Sequence, residues 1–201
     1  SRDKGLWRVL RGRVALAIAE LHEYDSRLED AVNMAREAVD DLNEDADEGD
    51  RLRGLVVLGR LLQKRGLLEE ALDCFQRARP LAEEADAEPR GVVYGNIAVI
   101  QQAMRHYEAA IEWYTKARVA FRESGNKRNE AFAARGVGTG YSKLGEYKDA
   151  LAWYDRAQDL LDGLEGADKE LFAVEESRGV DHLNLGDATR RQSYFTKAIA
   201  N

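Results

Sequence analysis

Four groupings of side chains in this 201-residue sequence have types and spacings that chemistry can use. The first is Gly136-Val137-Gly138-Thr139-Gly140, because closely spaced glycines can present backbone N–H groups to a phosphate. Phosphate loops need a GxGxxG spacing or a Gly-Lys-Ser/Thr ending after a strand. Neither is present, and the run lies in a segment with helical periodicity. A glycine inside a helix costs about 1 kcal/mol against alanine, so three of them point to close packing at that place.

The second grouping is acidic. Asp40, Asp41, Glu44, Asp45, Asp47, Glu48 and Asp50 crowd one connection, and clustered carboxylates are hard-ion ligands. With Asn43, Asp45 and Asp47 as the first three ligands of a calcium loop, the required glycine falls on Glu48 and the closing glutamate on Gly54. The cluster therefore reads as a solvated turn whose acids favour the start of the next helix. The third grouping is His22, His106 and His182, which are too far apart in sequence to form a chelating pair. Cys74, beside Phe75, reads as a buried, inert thiol, and Trp113 and Trp153 as packing residues one period apart. No nucleophile, base and oxyanion donor come together, so the reading is a non-enzyme with no cofactor and no metal.

Composition narrows the classes further. Net charge is −7 and the isoelectric point lies near 5.2, which opposes binding to nucleic acid or an anionic membrane through a basic field. The longest apolar stretches, residues 14–19 and 55–58, are far shorter than the roughly 20 residues that cross a bilayer. A single cysteine excludes an intrachain disulfide framework. These features favour a cytoplasmic protein, and the opening at Ser1 without Met reads as a piece of a longer one.

The elements that position these residues follow from an internal repeat. Residues 69–78 align with 108–117 and again with 148–157, a period of about 40. In each unit a small residue is followed four positions on by an aromatic and three further by another small residue, as in Ala150, Tyr154 and Ala157. Helical periodicity places all three on one face. An upstream segment reads Leu55, Leu58, Gly59, Leu62 in one unit, Tyr94, Ile97, Ala98, Gln101 in the next and Ala134, Val137, Gly138, Tyr141 in the one after. Short turns at 66–68, 105–107 and 145–147 join the two segments. The frame runs back to Ala31, Ala35 and Ala38 and forward to Arg191, Phe195 and Ala198.

The pattern Ala134, Val137, Gly138, Tyr141, Gly145, Tyr147, Ala150, Tyr154, Ala157 resembles the tetratricopeptide repeat, here in the long-repeat class of Pins-type scaffolds, kinesin light chains and bacterial Rap-type regulators. The resemblance implies an all-α, right-handed superhelical α-solenoid of about five helix-turn-helix units. The units run over residues 12–50, 51–90, 91–130, 131–171 and 172–201. Paired helices are predicted over 5–23 and 27–41, 50–65 and 67–85, 89–104 and 106–123, 127–143 and 146–161, and 168–185 and 187–200. Between units, Gly125 suits a left-handed helix end and Asn126 the next N-cap. The fifth unit departs from the pattern, with Glu175, Arg178 and Arg191 at positions expected to be apolar or small.

In this family the first helix of each unit lines the inner wall. Counted in that register, the wall positions are Arg53, Val56, Arg60, Gln63 and Lys64; then Val92, Gly95, Val99, Gln102 and Ala103; then Phe132, Arg135, Thr139, Ser142 and Lys143. These fifteen positions hold five basic residues and no acidic one, where average composition gives about two and three. Asn96 stands where the family often holds the backbone of an extended peptide. The resemblance thus implies a protein–protein interaction module whose groove takes an extended or helical acidic segment of another protein. The groove set is Arg53, Arg60, Gln63, Lys64, Asn96, Gln102, Arg135, Thr139 and Lys143, with Arg60, Asn96 and Arg135 expected along one line. The alternative is a peptide-sensing regulatory domain of a bacterial signalling or transcription-control protein. Self-association through the terminal repeats is a further expectation.

Overall fold

The computed structural model describes the backbone of residues 2–24, 27–42 and 46–199, and the side chains of 5–23, 27–42 and 46–186. Every element in the described residues is helical: α1 Arg2–Tyr24, α2 Leu28–Asp41, α3 Glu48–Arg65, α4 Leu68–Glu83, α5 Ala87–Ala103, α6 Tyr107–Glu123, α7 Lys127–Leu144, α8 Tyr147–Leu161 and α9 Asp168–Ile199. The first eight match the expected pairs to within three residues. Each helix packs on its chain neighbours, so the core runs as one continuous seam along the array.

The helices begin and stop where local chemistry requires. Asp47 caps α3 by accepting from Asp50 N at 2.8 Å, and Asn126 caps α7 by accepting from Asn129 N at 3.0 Å. Gly66 and Gly145 end α3 and α7 in the left-handed region, at φ 84° and 83°. The amide that follows each bonds back to Leu62 O and Tyr141 O, closing the last turn. Arg105 takes the same conformation at φ 65° without glycine's freedom. Gly125, at φ 74°, serves between units as expected.

Packing within a unit turns on one contact. Ala71, Ala110 and Ala150 are fully buried at the helix crossing. A Cβ added to Gly59 would lie 2.8 Å from the Phe75 ring, and one on Gly138 would lie 2.6 Å from the Tyr154 ring and 3.1 Å from Ala150 O. The glycines let the paired helices approach so that the aromatic of the second lies on the backbone of the first. Gly136 does the same between units, where a Cβ would lie 2.6 Å from the ring of Tyr114 in α6. The glycines of 136–140 are packing residues of one helix, all three buried.

One expectation is corrected. The pair predicted over 168–185 and 187–200 is a single helix, α9, which continues through Gly186. Gly186 does not enter the left-handed region as Gly66 and Gly145 do. Running on keeps each backbone hydrogen bond in line, whereas a turn leaves terminal carbonyls to be capped again. The small, aromatic and small positions expected at Arg191, Phe195 and Ala198 lie outside the described side chains.

Candidate functional site

The two layers of helices differ in spacing. Successive first helices touch: α1 meets α3, α3 meets α5, α5 meets α7 and α7 meets α9. Among the described residues no two second helices meet. The first helices therefore form the inner, more closely spaced wall, and the wall residues belong to them.

At the N-terminal end of this wall the cations are already paired. Arg53 donates to Glu20 Oε2 at 2.7 Å and Arg60 to Glu23 Oε2 at 2.9 Å, while Lys64 donates to Glu23 Oε1. Both carboxylates come from α1, one unit back. Burial acts to raise the Glu23 pKa, but the Lys64 hydrogen bond and the nearby Arg60 charge outweigh it and hold the group below its ordinary value. Glu23 is thus ionised at neutral pH and shared by two cations.

Further along, the side chains are held differently. Asn96 Nδ2 donates to Val92 O of its own helix at 2.8 Å, so one amide donor is engaged locally. Thr139 Oγ1 likewise donates to Arg135 O at 3.0 Å. Gln63 and Gln102 are half-buried, and Gln102 Oε1 is buried without a hydrogen-bond partner among the described residues. The Arg135 guanidinium lies 6.0 Å from the centroid of Phe132, itself edge-on to Tyr114. Neither Arg135 nor exposed Lys143 has an ion-pair partner among the described residues. Beside Arg135 a cleft of about 260 Å³ is lined by Ala131, Phe132, Leu161, Ala173 and Val174, with Lys169 and Glu170 at its edge.

Sequence counting missed three wall carboxylates. Glu20 and Glu23 stand 40 residues before Arg60 and Gln63, and extending the same register one unit back reaches them. Asp181 of α9 is fully buried and accepts from Ser142 Oγ at 2.7 Å through Oδ1, while Oδ2 has no partner among the described residues. The bond ties α9 to α7 across the inner wall. In the fifth unit Glu176 takes the place that Arg135 holds in the fourth, so the basic stretch ends at α7.

The other groupings resolve into structural roles. Asp41 is buried and receives two bonds from Arg11, at 2.5 and 2.6 Å; Asp50 pairs with Arg13 at 2.5 Å. Asn43, Glu44 and Asp45 lie outside the described residues. His106 precedes α6 and its Nδ1 lies 2.9 Å from Gln101 Oε1; His182 is exposed. Burial pushes the Cys74 thiol up to about 11, which keeps it protonated and unreactive. Trp113 packs on Tyr94 and carries Lys116 over its ring, and Trp153 carries Arg118 and Arg156.

This architecture of stacked helix pairs, with small residues under aromatics and a wall of first helices, is that of a helical-repeat protein. A tetratricopeptide repeat model matches residues 50–123 and again 89–163, more than half of the chain, and the chain belongs to the tetratricopeptide repeat family. No curated protein matches it in sequence. Among solved structures it is similar to BtubC (BKLC) from P. vanneervenii, with a TM-score of 0.75 at 18% identity over 100% of this chain and 89% of that one. A putative kinesin light chain from Podosopora anserina, with nearly identical TPR-like repeats, gives 0.72 at 15% identity over 94% and 93%. The apo form of RapI gives 0.78 at 18% identity, over 94% of this chain but 52% of RapI. At these identities the likeness establishes the fold. Among the described residues no helix is long and apolar enough to cross a membrane.

Proposed function

We propose that this chain is a protein-interaction module whose inner wall takes an extended or helical acidic segment of another protein, in an array divided near residues 50, 90, 130 and 171. The observation that carries the reading is the pair Arg135 and Lys143, two wall cations two helical turns apart with no described carboxylate partner. Of the five wall cations, Arg53, Arg60 and Lys64 take the two carboxylates of α1, while the third wall carboxylate, Asp181, accepts from Ser142. The two wall cations without a described carboxylate partner both lie on α7. The guanidinium fork of Arg135 suits a carboxylate, and the apolar cleft beside it suits a neighbouring side chain of the same peptide. Gln63, Asn96, Gln102 and Thr139 extend the polar lining toward the N-terminal units.

The direct test is fluorescence anisotropy with a labelled Asp/Glu-rich peptide. Arg135→Glu with Lys143→Glu is expected to weaken binding at least about tenfold, equivalent to 1.4 kcal/mol. Glu23→Gln is expected to strengthen binding, because it releases Arg60 and Lys64 toward the groove. Higher salt weakens both, since the Debye length of about 8 Å at physiological ionic strength screens exposed pairs. Unchanged binding by the double variant refutes the basic groove. The second reading, a peptide-sensing regulatory domain of a bacterial signalling protein, is supported by the fold likeness to RapI across 94% of this chain. A peptide whose binding also changes the distance between labels placed on the first and fourth units supports it.

A further inference from the structure

The aromatic seat described above recurs at fixed spacing. From Gly59 the left-handed turn residue, Gly66, stands seven residues on and the seated aromatic, Phe75, sixteen residues on. The fourth unit repeats this with Gly138, Gly145 and Tyr154, and the third with Ala98, Arg105 and Tyr114. The fifth unit carries the same series as Gly179, Gly186 and Phe195.

Yet among the described residues nothing covers the fifth seat. A Cβ built on Gly179 meets no described atom within 4 Å, whereas Gly59 and Gly138 lie under aromatic rings. Around it the apolar side chains of α9 face outward: Phe172 is 71%, Val180 53% and Leu183 73% exposed. Ala131, which corresponds to Phe172 one unit back, is buried under α8. The α9 face thus has the residues of a first helix, and among the described residues no second helix covers it.

The chain's own aromatic cannot fill this seat while α9 is straight. Sixteen residues of α-helix span about 24 Å at 1.5 Å per residue, which carries Phe195 that far along the axis from Gly179. We infer that the open face of α9 is a dimer interface filled by reciprocal exchange: residues 187–199 of one copy pack on 168–186 of a second copy, and the reverse. Phe195 enters through its place in the series, since the side chains of 187–199 lie outside the described residues. Each exchanged contact then reproduces the α7–α8 packing already present in the chain. Two seats and two donors satisfy one another about a twofold axis, so the assembly closes at two copies. Gly186 is the pivot: helical here, it occupies the position where Gly66 and Gly145 turn left-handed.

The test uses the intact chain. Light scattering on size exclusion is expected to give twice the 22.6 kDa chain mass. Phe195→Ala on the donor side and Gly179→Leu on the seat side are each expected to yield monomers with helical circular dichroism retained. To separate exchange from folding back, Phe172→Cys and Ala198→Cys are placed in separate chains, both also carrying Cys74→Ser, and the two are refolded together. A disulfide between the two chains is expected on oxidation. A monomeric wild-type chain overturns the proposal, as does an intrachain disulfide between the two introduced thiols when both substitutions are placed in one chain that stays monomeric. So does a dimer that survives Phe195→Ala and Gly179→Leu but dissociates on replacing exposed Trp7 by serine, because that places the contact at the other end.

Discussion

The fourth and fifth units share a sequence pattern and differ in what covers it. In the fourth, Tyr154 is buried on Gly138, Ala150 lies at the crossing, and α7 and α8 bury Ala131, Ala134 and Leu161 between them. In the fifth, Gly179 has the same place but no ring upon it among the described residues, and Phe172 and Leu183 are exposed. A first helix packs one face on the preceding unit, as Val174 of α9 does, but its other face is covered only when its own second helix arrives. Continuity at Gly186 is enough to change which chain can supply that helix.

The largest effect expected from this comparison is at the filled seat. Tyr154→Ala removes a ring with 1% exposure and should destabilise the array by about 3–5 kcal/mol, read as a shift in urea or thermal midpoint. A smaller but more diagnostic contrast uses the two glycines. Gly138→Ala forces a Cβ to 2.6 Å from the Tyr154 ring and 3.1 Å from Ala150 O, so overpacking should cost about 1–3 kcal/mol. Gly179→Ala, made in the monomeric Phe195→Ala background, meets open space and should stabilise by up to about 1 kcal/mol through helix propensity alone. A penalty at Gly179 equal to that at Gly138 would show that some group other than the Phe195 ring lies on the fifth seat.

At the other terminus the first unit closes with an ion pair in which a buried carboxylate meets exposed arginines. Asp41 is buried beneath Arg11 and Arg8, and the Arg11 hydrogen bonds hold its carboxyl below the ordinary value of 3.8. The sign follows from linkage. The unfolded chain takes up this proton at higher pH than the folded chain, so the contribution is present at neutral pH. It is lost as the pH falls from about 3.8 through the lower folded value. Asp41→Asn should lower stability at pH 7 and flatten its decline below pH 4, measured by thermal unfolding across pH.

The repeat, the helix bounds of α1 to α8 and the crossing alanines were legible because each recurs at helical spacing in several units, and one unit checks another. The N-cap Asn126 and the left-handed Gly125 were legible for a local reason, since their roles depend on residues only a few positions away. The basic bias of the wall positions was legible in composition, but the pairing of their charges was not. Arg60 and Lys64 meet Glu23 across 37 and 41 residues of sequence, and a count confined to units two to four omits that carboxylate. Asn96 fits its family position, yet its own helix supplies a carbonyl at 2.8 Å, a partner that position alone does not reveal. At Gly186 the local pattern permits either a turn or a helix, and the repeat period read from earlier units does not choose between them.

The smallest effect concerns Arg105, which bears on whether the turn itself is strained in each unit. It stands where Gly66 and Gly145 end their helices and adopts φ 65°, a region that brings a side-chain Cβ close to the following carbonyl. His106 N still bonds to Gln101 O at 2.9 Å, so the turn closes as it does after the glycines. The residue is exposed and has no ion pair among the described residues, so its removal breaks no salt bridge there. Glycine there relieves about 1–2 kcal/mol of left-handed strain but adds about 0.5–1 kcal/mol of chain entropy to be lost on folding. Arg105→Gly should therefore stabilise by up to about 1 kcal/mol, seen as a rise of a few degrees at most in the thermal midpoint. A fall would mean that the arginine stem covers apolar surface at the turn and contributes more than the strain costs.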